Sequence, residues 1–128
     1  MQVQEGPGWR LCVDRSRSPY PVLIGGGDWA AELRAEEALA LCRGASRLAA
    51  ELAAMADRLM PEECVTLELE TGPLWLELEG QPRAWRLRFV LAPGPGARGV
   101  EGSWSEAASA AVVAALCQAH EDGMMAPV

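Results

Sequence analysis

The sequence predicts a single α+β domain in which antiparallel strands pack against one long helix and a C-terminal helix. Three observations carry this reading. Residues 35–60 repeat apolar side chains at three- and four-residue steps. Residues 64–91 alternate apolar and polar side chains in three runs, separated by Thr71-Gly72-Pro73 and Gly80-Gln81-Pro82-Arg83. The 128 residues, half of them hydrophobic and 23% charged, are enough for one continuous core.

The elements follow in chain order. Residues 1–7 and 124–128 are expected to fray. Trp9, Leu11 and Val13 share a strand face. Asp14–Pro19 makes a polar turn, and Tyr20–Ile24 is extended, with Pro21 at a strand start or edge. Gly25-Gly26-Gly27 breaks that run. Trp29–Leu33 is open between a helix start capped by Asp28 and a short strand ahead of a helix starting near Arg34. The long helix then sets Ala38, Leu41, Cys42, Ala45, Leu48, Leu52 and Met55 against a face of Arg43, Arg47, Glu51, Asp57 and Arg58. Its 26 positions span roughly 39 Å at about 1.5 Å per residue. Gly44 falls on the polar side, and Pro61 ends the helix.

In the meander, Val65, Leu67 and Leu69, then Leu74, Leu76 and Leu78, then Trp85, Leu87, Phe89 and Leu91 take the core side. Leu76 opposite Phe89 places Glu77 beside Arg88 and Glu79 beside Arg86; a register shifted by two sets Arg88 over Trp75 instead. Ala92–Gly99 is a loop by composition, and Val100–Trp104 supplies a fourth strand. Ser105 is an N-cap for a helix from Glu106 to about His120. No internal repeat and no linker divide the chain.

Composition excludes several chemistries. All 11 basic residues are Arg, so neither a Lys Schiff base nor a Walker A loop is possible. The net charge of −7 opposes phosphate polymers and anionic membranes. Cys12, Cys42, Cys64 and Cys117 lie far apart with a single His in the chain, so no metal site is expected and the cysteines read as small buried hydrophobes. His120 reads as a residue at a helix C-terminus, where a cation is favoured. Absence of a leader-like or membrane-length apolar stretch leads to an expectation of cytoplasmic residence.

Several motifs resemble a family from cyanobacteria and the green plastid lineage known as domain of unknown function 1818. They are Gly8-Trp-Arg-Leu11, Tyr20-Pro-Val-Leu-Ile-Gly-Gly26, Trp29-Ala-Ala-Glu-Leu33, Leu74-Trp-Leu-Glu-Leu-Glu-Gly80 and Arg98-Gly-Val-Glu-Gly-Ser-Trp104. The resemblance implies a sheet-and-helix domain similar to the Whirly and Pur-alpha single-stranded DNA-binding regulators, and it favours a strand at Trp29–Leu33. It implies no activity, and no binding residue carries over, because the Whirly motif beginning Lys-Gly-Lys cannot exist in a chain without Lys. Arg34 stands where the family tends to place a Thr helix cap.

Two constellations are candidate binding sites. On the outer face of the meander, Trp75, Arg86 and Arg88 stand among Glu68, Glu70, Glu77 and Glu79. The acids there suit cross-strand ion pairing better than acid–base chemistry, and an exposed Trp on a sheet marks a protein contact. In the N-terminal turn, Arg10, Arg15 and Arg17 lie near Trp9 and Tyr20, with Arg98 from the Gly-Pro loop able to join them. Arginines with aromatics make a stacking platform for nucleotides. No catalytic residue, cofactor or metal ligand is expected. The leading reading is a non-enzymatic binding or assembly module, a homo-oligomer or partner of another protein. A single-stranded nucleic-acid-binding regulator is the alternative, and a small-ligand enzyme comes third.

Overall fold

The protein's structure, a computed structural model, describes residues 1–126. Each half of the chain builds four strands and then a helix. The first half gives β1 (Gln2–Gly6), β2 (Trp9–Val13), β3 (Val22–Gly25), β4 (Ala30–Leu33) and α1 (Ala35–Ala54). After a 3-10 turn at Ala56–Arg58, the second half gives β5 (Val65–Thr71), β6 (Leu74–Gln81), β7 (Ala84–Leu91), β8 (Val100–Trp104) and α2 (Glu106–Glu121). The strands form two antiparallel four-stranded sheets in sequential order, β1-β2-β3-β4 and β5-β6-β7-β8. The α+β class and both helices agree with the sequence, and the strands divide into two sheets.

Alternation fixed the faces of the second sheet and left two registers open, of which the one opposing Leu76 to Phe89 is formed. Leu76 pairs with Phe89, Leu78 with Leu87, Glu77 with Arg88 and Glu79 with Arg86. Leu74, Leu76, Leu78, Leu87, Phe89 and Leu91 are buried, as are Leu11, Val13, Val22, Ile24 and Leu33 of the first sheet. Each such side chain contributes about 1.5–3 kcal/mol on leaving water. Leu67 and Met55, expected in the core, are only half-buried.

The helices cross over. α1 follows the first sheet but lies on β5 and β6 of the second, whereas α2 follows the second sheet and packs against β2, β7 and α1. A sheet must cover its apolar face, and here α1 covers the second sheet while α2 packs on strands of both. This packing explains Gly44, which is buried rather than on the polar side. A Cβ at Gly44 would collide with Leu76 Cδ1, so the missing side chain lets α1 approach β6. Gly102 does the same for Trp29, whose ring occupies the space a Cβ would take. Trp29, Phe89 and Trp104 form a cluster with centroids 5.2–5.9 Å apart. Trp29 Nε1–H donates to the Ser103 carbonyl at 3.0 Å and Trp104 Nε1–H to the Gly25 carbonyl at 2.9 Å, joining the two sheets. Buried Ser109 accepts the Leu87 N–H at 3.0 Å and sits within bonding distance of the Trp104 and Ser105 carbonyls.

Four expectations need correction. The N-terminus is not frayed: residues 2–6 form β1, held against β2 from Gln2↔Val13 to Gly6↔Trp9. Hairpin pairing outweighs the weak local preference of Gln-Val-Gln-Glu. Residues 124–126 make a turn that buries Met125, with Met124 N–H bonded to the Ala119 carbonyl at 3.0 Å; residues 127 and 128 lie outside the described part. α1 stops at Ala54, six residues early, where a tighter turn takes over. Twenty residues span about 30 Å rather than 39. Of the two readings open at Trp29–Leu33, the strand is the one formed, as Ala30–Leu33, and α1 begins at Ala35. The absence of an internal repeat holds for the residues but not for the architecture, since the ββββα plan occurs twice.

Candidate functional site

Cross-strand partners share a face, so the outer surface of the second sheet follows from its register. One row runs Glu70, Trp75, Val90, Glu101; the next runs Glu68, Glu77, Arg88, Ser103; and Glu79 opposes Arg86 beyond. Trp75 and Val90, both half-buried, make an apolar spot on a face that carries five glutamates and two arginines. The expected ion ladder does not close. Arg88 turns from Glu77 to Glu101, with Nη2 at 3.9 Å from Oε2, and lays its guanidinium 5.4 Å from the Trp75 ring centroid. Arg86 has no carboxylate within 4.0 Å among the described residues, although Glu79 faces it in register. Opposed Cα atoms bring long side chains within reach but do not direct them. The aromatic face and the Glu101 carboxylate draw Arg88 sideways.

The second locality is the seam where β4 and β8, the edges of the two sheets, meet the loop before β8. Tyr20, Trp29, Glu32, Arg98 and Glu101 line an open cleft of about 460 Å³. Arg98 is engaged on every side. Its guanidinium forks onto Glu37, with Nη1 donating to Oε2 at 3.1 Å and Nη2 to Oε1, and Nη2 also donates to the Glu32 carbonyl at 3.2 Å. It stacks 4.6 Å from the Tyr20 ring centroid, and Arg34 covers the ring at 5.2 Å. Glu37 is buried and also accepts the Arg34 N–H at 2.7 Å. Burial pushes its carboxyl up, but the hydrogen bonds and charges of Arg98 and Arg34 outweigh this and hold it below the ordinary carboxylate range. A carboxylate so held is a structural anion and a poor proton carrier near neutrality.

The expected Arg platform at the N-terminal turn is dispersed. Arg17 pairs with Glu32 at 2.5 Å, and Arg15 Nε donates to the Ala126 carbonyl at 3.2 Å. Arg98 is committed to Glu37. Arg10 lies apart, in a cleft of about 440 Å³ with Trp9, Trp29, Glu5 and Asp28. Arg15 and Arg17 share a cleft with Arg34 and Glu36, whereas Arg10 and Arg98 line two others, so the four do not line one site. Sequence reasoning missed Glu37 and Glu32. The available signal was a Glu three residues after the helix cap, which commonly reaches back to the cap N–H. Of the cysteines, Cys42 is buried as expected, whereas Cys12 and Cys117 are half-buried and Cys64 is exposed.

Among the described residues no three His, Cys, Asp or Glu side chains converge as a metal site, and no helix is long and apolar enough to cross a membrane. Fold and surface thus define an α+β domain of two four-stranded sheets and two helices with an acidic, tryptophan-centred face. The chain belongs to the family described as domain of unknown function DUF1818, whose model matches residues 4–119. It is also similar to a crystal structure from Prochlorococcus sp. NATL2A, described as a protein with unknown function from the DUF155 family. That similarity has 37% identity and a TM-score of 0.87, and covers 92% of this chain and 98% of the other. No curated protein matches the chain.

Proposed function

We propose that this domain is a non-enzymatic binding module that meets a basic protein partner through the outer face of the second sheet. The observation that carries the reading is Trp75 beside Val90, with Arg88 against the ring and Glu68, Glu70, Glu77, Glu79 and Glu101 around it. An aromatic anchor inside a charged rim is how a few residues supply most of a contact's energy, and the acidic rim selects a partner of opposite charge. The test is an NMR titration of labelled protein with a short arginine-rich peptide carrying one leucine. The Trp75 indole N–H and the Val90 and Glu77 amides should shift, with binding weakening as salt rises and lost in Trp75→Ala. Shifts centred on the first sheet would overturn the assignment.

Self-association finds its best support on the first sheet. There Val3, Cys12 and Leu23 line one row of the outer face, ending at Glu32, which Arg17 neutralises. Val3 is 57% exposed. Five glutamates on the second sheet's face would repel their own copy, so a homo-oligomer would use the first. Sedimentation of the wild type and Leu23→Glu separates the two contacts.

The alternative of single-stranded nucleic-acid binding rests on the implied likeness to Whirly regulators. Against it, Arg17, Arg88 and Arg98 already face carboxylates, and phosphate binding needs free cations to displace counterions. Labelled oligonucleotides should show no micromolar binding by fluorescence anisotropy near about 150 mM salt. Such binding, falling steeply as salt rises, would replace the protein-partner reading.

A further inference from the structure

Cys42 on α1 and Cys117 on α2 are 75 residues apart in sequence, yet their Sγ atoms stand 3.0 Å apart. That is about 1 Å beyond a disulfide bond length of roughly 2.05 Å. We propose that these two cysteines form a reversible intramolecular disulfide that ties α1 to α2. Three features of the site support it. Both sulfurs sit on regular helices that pack against each other, so their meeting is built into the fold. The pair is asymmetric: Cys117 reaches solvent, while Cys42 is only 5% exposed. Ser46, one turn along α1 from Cys42, places Oγ 3.1 Å from Cys117 Sγ, within hydrogen-bonding distance.

The asymmetry assigns roles. Cys117 meets the oxidant, and Cys42 resolves. Burial first, and the neighbouring Cys117 sulfur second, push the Cys42 thiol up to about 12, so Cys42 is a poor site for first attack on an oxidant. Arg43 opposes that shift and Glu121 adds to it, each through its charge.

With a hydroperoxide as oxidant, the Cys117 thiolate attacks one peroxide oxygen and the O–O bond breaks. The departing hydroxide takes up a proton as water, and Cys117 becomes a sulfenic acid. Cys42 Sγ then attacks the Cys117 sulfur, the S–O bond breaks, and the hydroxide released leaves as water with the Cys42 proton. Two thiols and one hydrogen peroxide give one disulfide and two waters, and both electrons pass from sulfur to peroxide. A dithiol reductant reverses the bond by exchange. Because α1 covers the second sheet and α2 packs on β2 of the first as well as on β7, the bond would tie the cover of one sheet to the helix that both sheets share. A switch of this kind also suits a reducing compartment, where lasting disulfides are rare and reversible ones persist as sensors.

The experiment uses the full chain with Cys12→Ser and Cys64→Ser, which leaves only the proposed pair. After treatment with hydrogen peroxide, the intact mass should fall by about 2 Da and both thiols should escape alkylation. Peptide mapping should link the segments carrying Cys42 and Cys117, with the protein still unlinked to other copies. Dithiothreitol should restore both thiols. Closing so long a loop should raise the thermal midpoint by roughly 10 °C. Adding Cys117→Ser, a partly exposed position tolerant of the change, should abolish both the mass loss and the thermal shift. Two thiols that remain alkylatable, a mass gain of about 16 or 32 Da without linkage, or disulfides only between molecules would overturn the proposal.

Discussion

The two helices begin at the same point in the plan of their halves, one residue after the last strand of a sheet, and their first turns are stabilised differently. α2 starts at Ser105, whose Oγ accepts the Ala108 N–H at 3.3 Å. This is a local N-cap, complete within four residues. α1 starts at Arg34, which has no side-chain oxygen to offer its first turn. Glu37 reaches back to the Arg34 N–H instead, and its charge is balanced by Arg98, 61 residues further along. One helix start is therefore encoded by its own neighbours, while the other depends on the closed tertiary structure. The comparison predicts that α1 is the more sensitive of the two to changes made far away.

The largest effect is expected where α1 lies on the second sheet. Leu76→Ala opens a cavity beneath Gly44 and should destabilise by about 2–5 kcal/mol in chemical denaturation. A loss below 1 kcal/mol would mean that α1 does not rest on β6.

Next comes the start of α1. Glu37→Ala leaves Arg98 partly buried without its carboxylate and should cost about 3 kcal/mol at neutral pH. The pH dependence has a definite sign. Glu37 binds its proton less readily in the folded than in the unfolded chain, so its stabilisation is fully present above the ordinary value of 4.5 and fades as pH falls below it. The gap between wild type and Glu37→Ala should thus narrow as denaturation is repeated at about pH 3. A gap unchanged by acid would show that the pair contributes packing and not charge.

Ser105→Ala should cost about 1 kcal/mol, with little dependence on acid, because only a local cap is lost. Arg17→Ala sharpens the contrast from the other side. The Arg17–Glu32 pair is as short as any on the molecule's surface, but its side chains are 51% and 43% exposed. The change should shift stability by less than about 0.5 kcal/mol, against several for the Glu37–Arg98 pair. Equal effects in the two variants would break the distinction between buried and surface ion pairs.

How much was legible from sequence divides along the same line. Strand alternation and helix periodicity are properties of adjacent residues, and they foretold β5 to β8, the inward faces that hold Leu76 and Phe89, and the Ser105 cap, while leaving open two registers that the fold resolved. At the candidate face, the same parity set Trp75 outward among the glutamates. It failed where a side chain chose among several neighbours: Arg88 went to Glu101 and Trp75, and Arg86 to no carboxylate among the described residues.

By itself, then, the sequence determined the class of fold, the meander with its inward and outward faces, and the chemistries that a chain without Lys cannot perform. These depend on residue type and on spacings of a few positions. Only the tertiary structure decided that there are two sheets, that α1 covers the second sheet while α2 packs on both, that Gly44 faces Leu76, and that Glu37 meets Arg98 and Cys42 meets Cys117. Those contacts join residues 32 to 75 positions apart. No local pattern specifies them, because they follow from which apolar faces fit together once every element has formed.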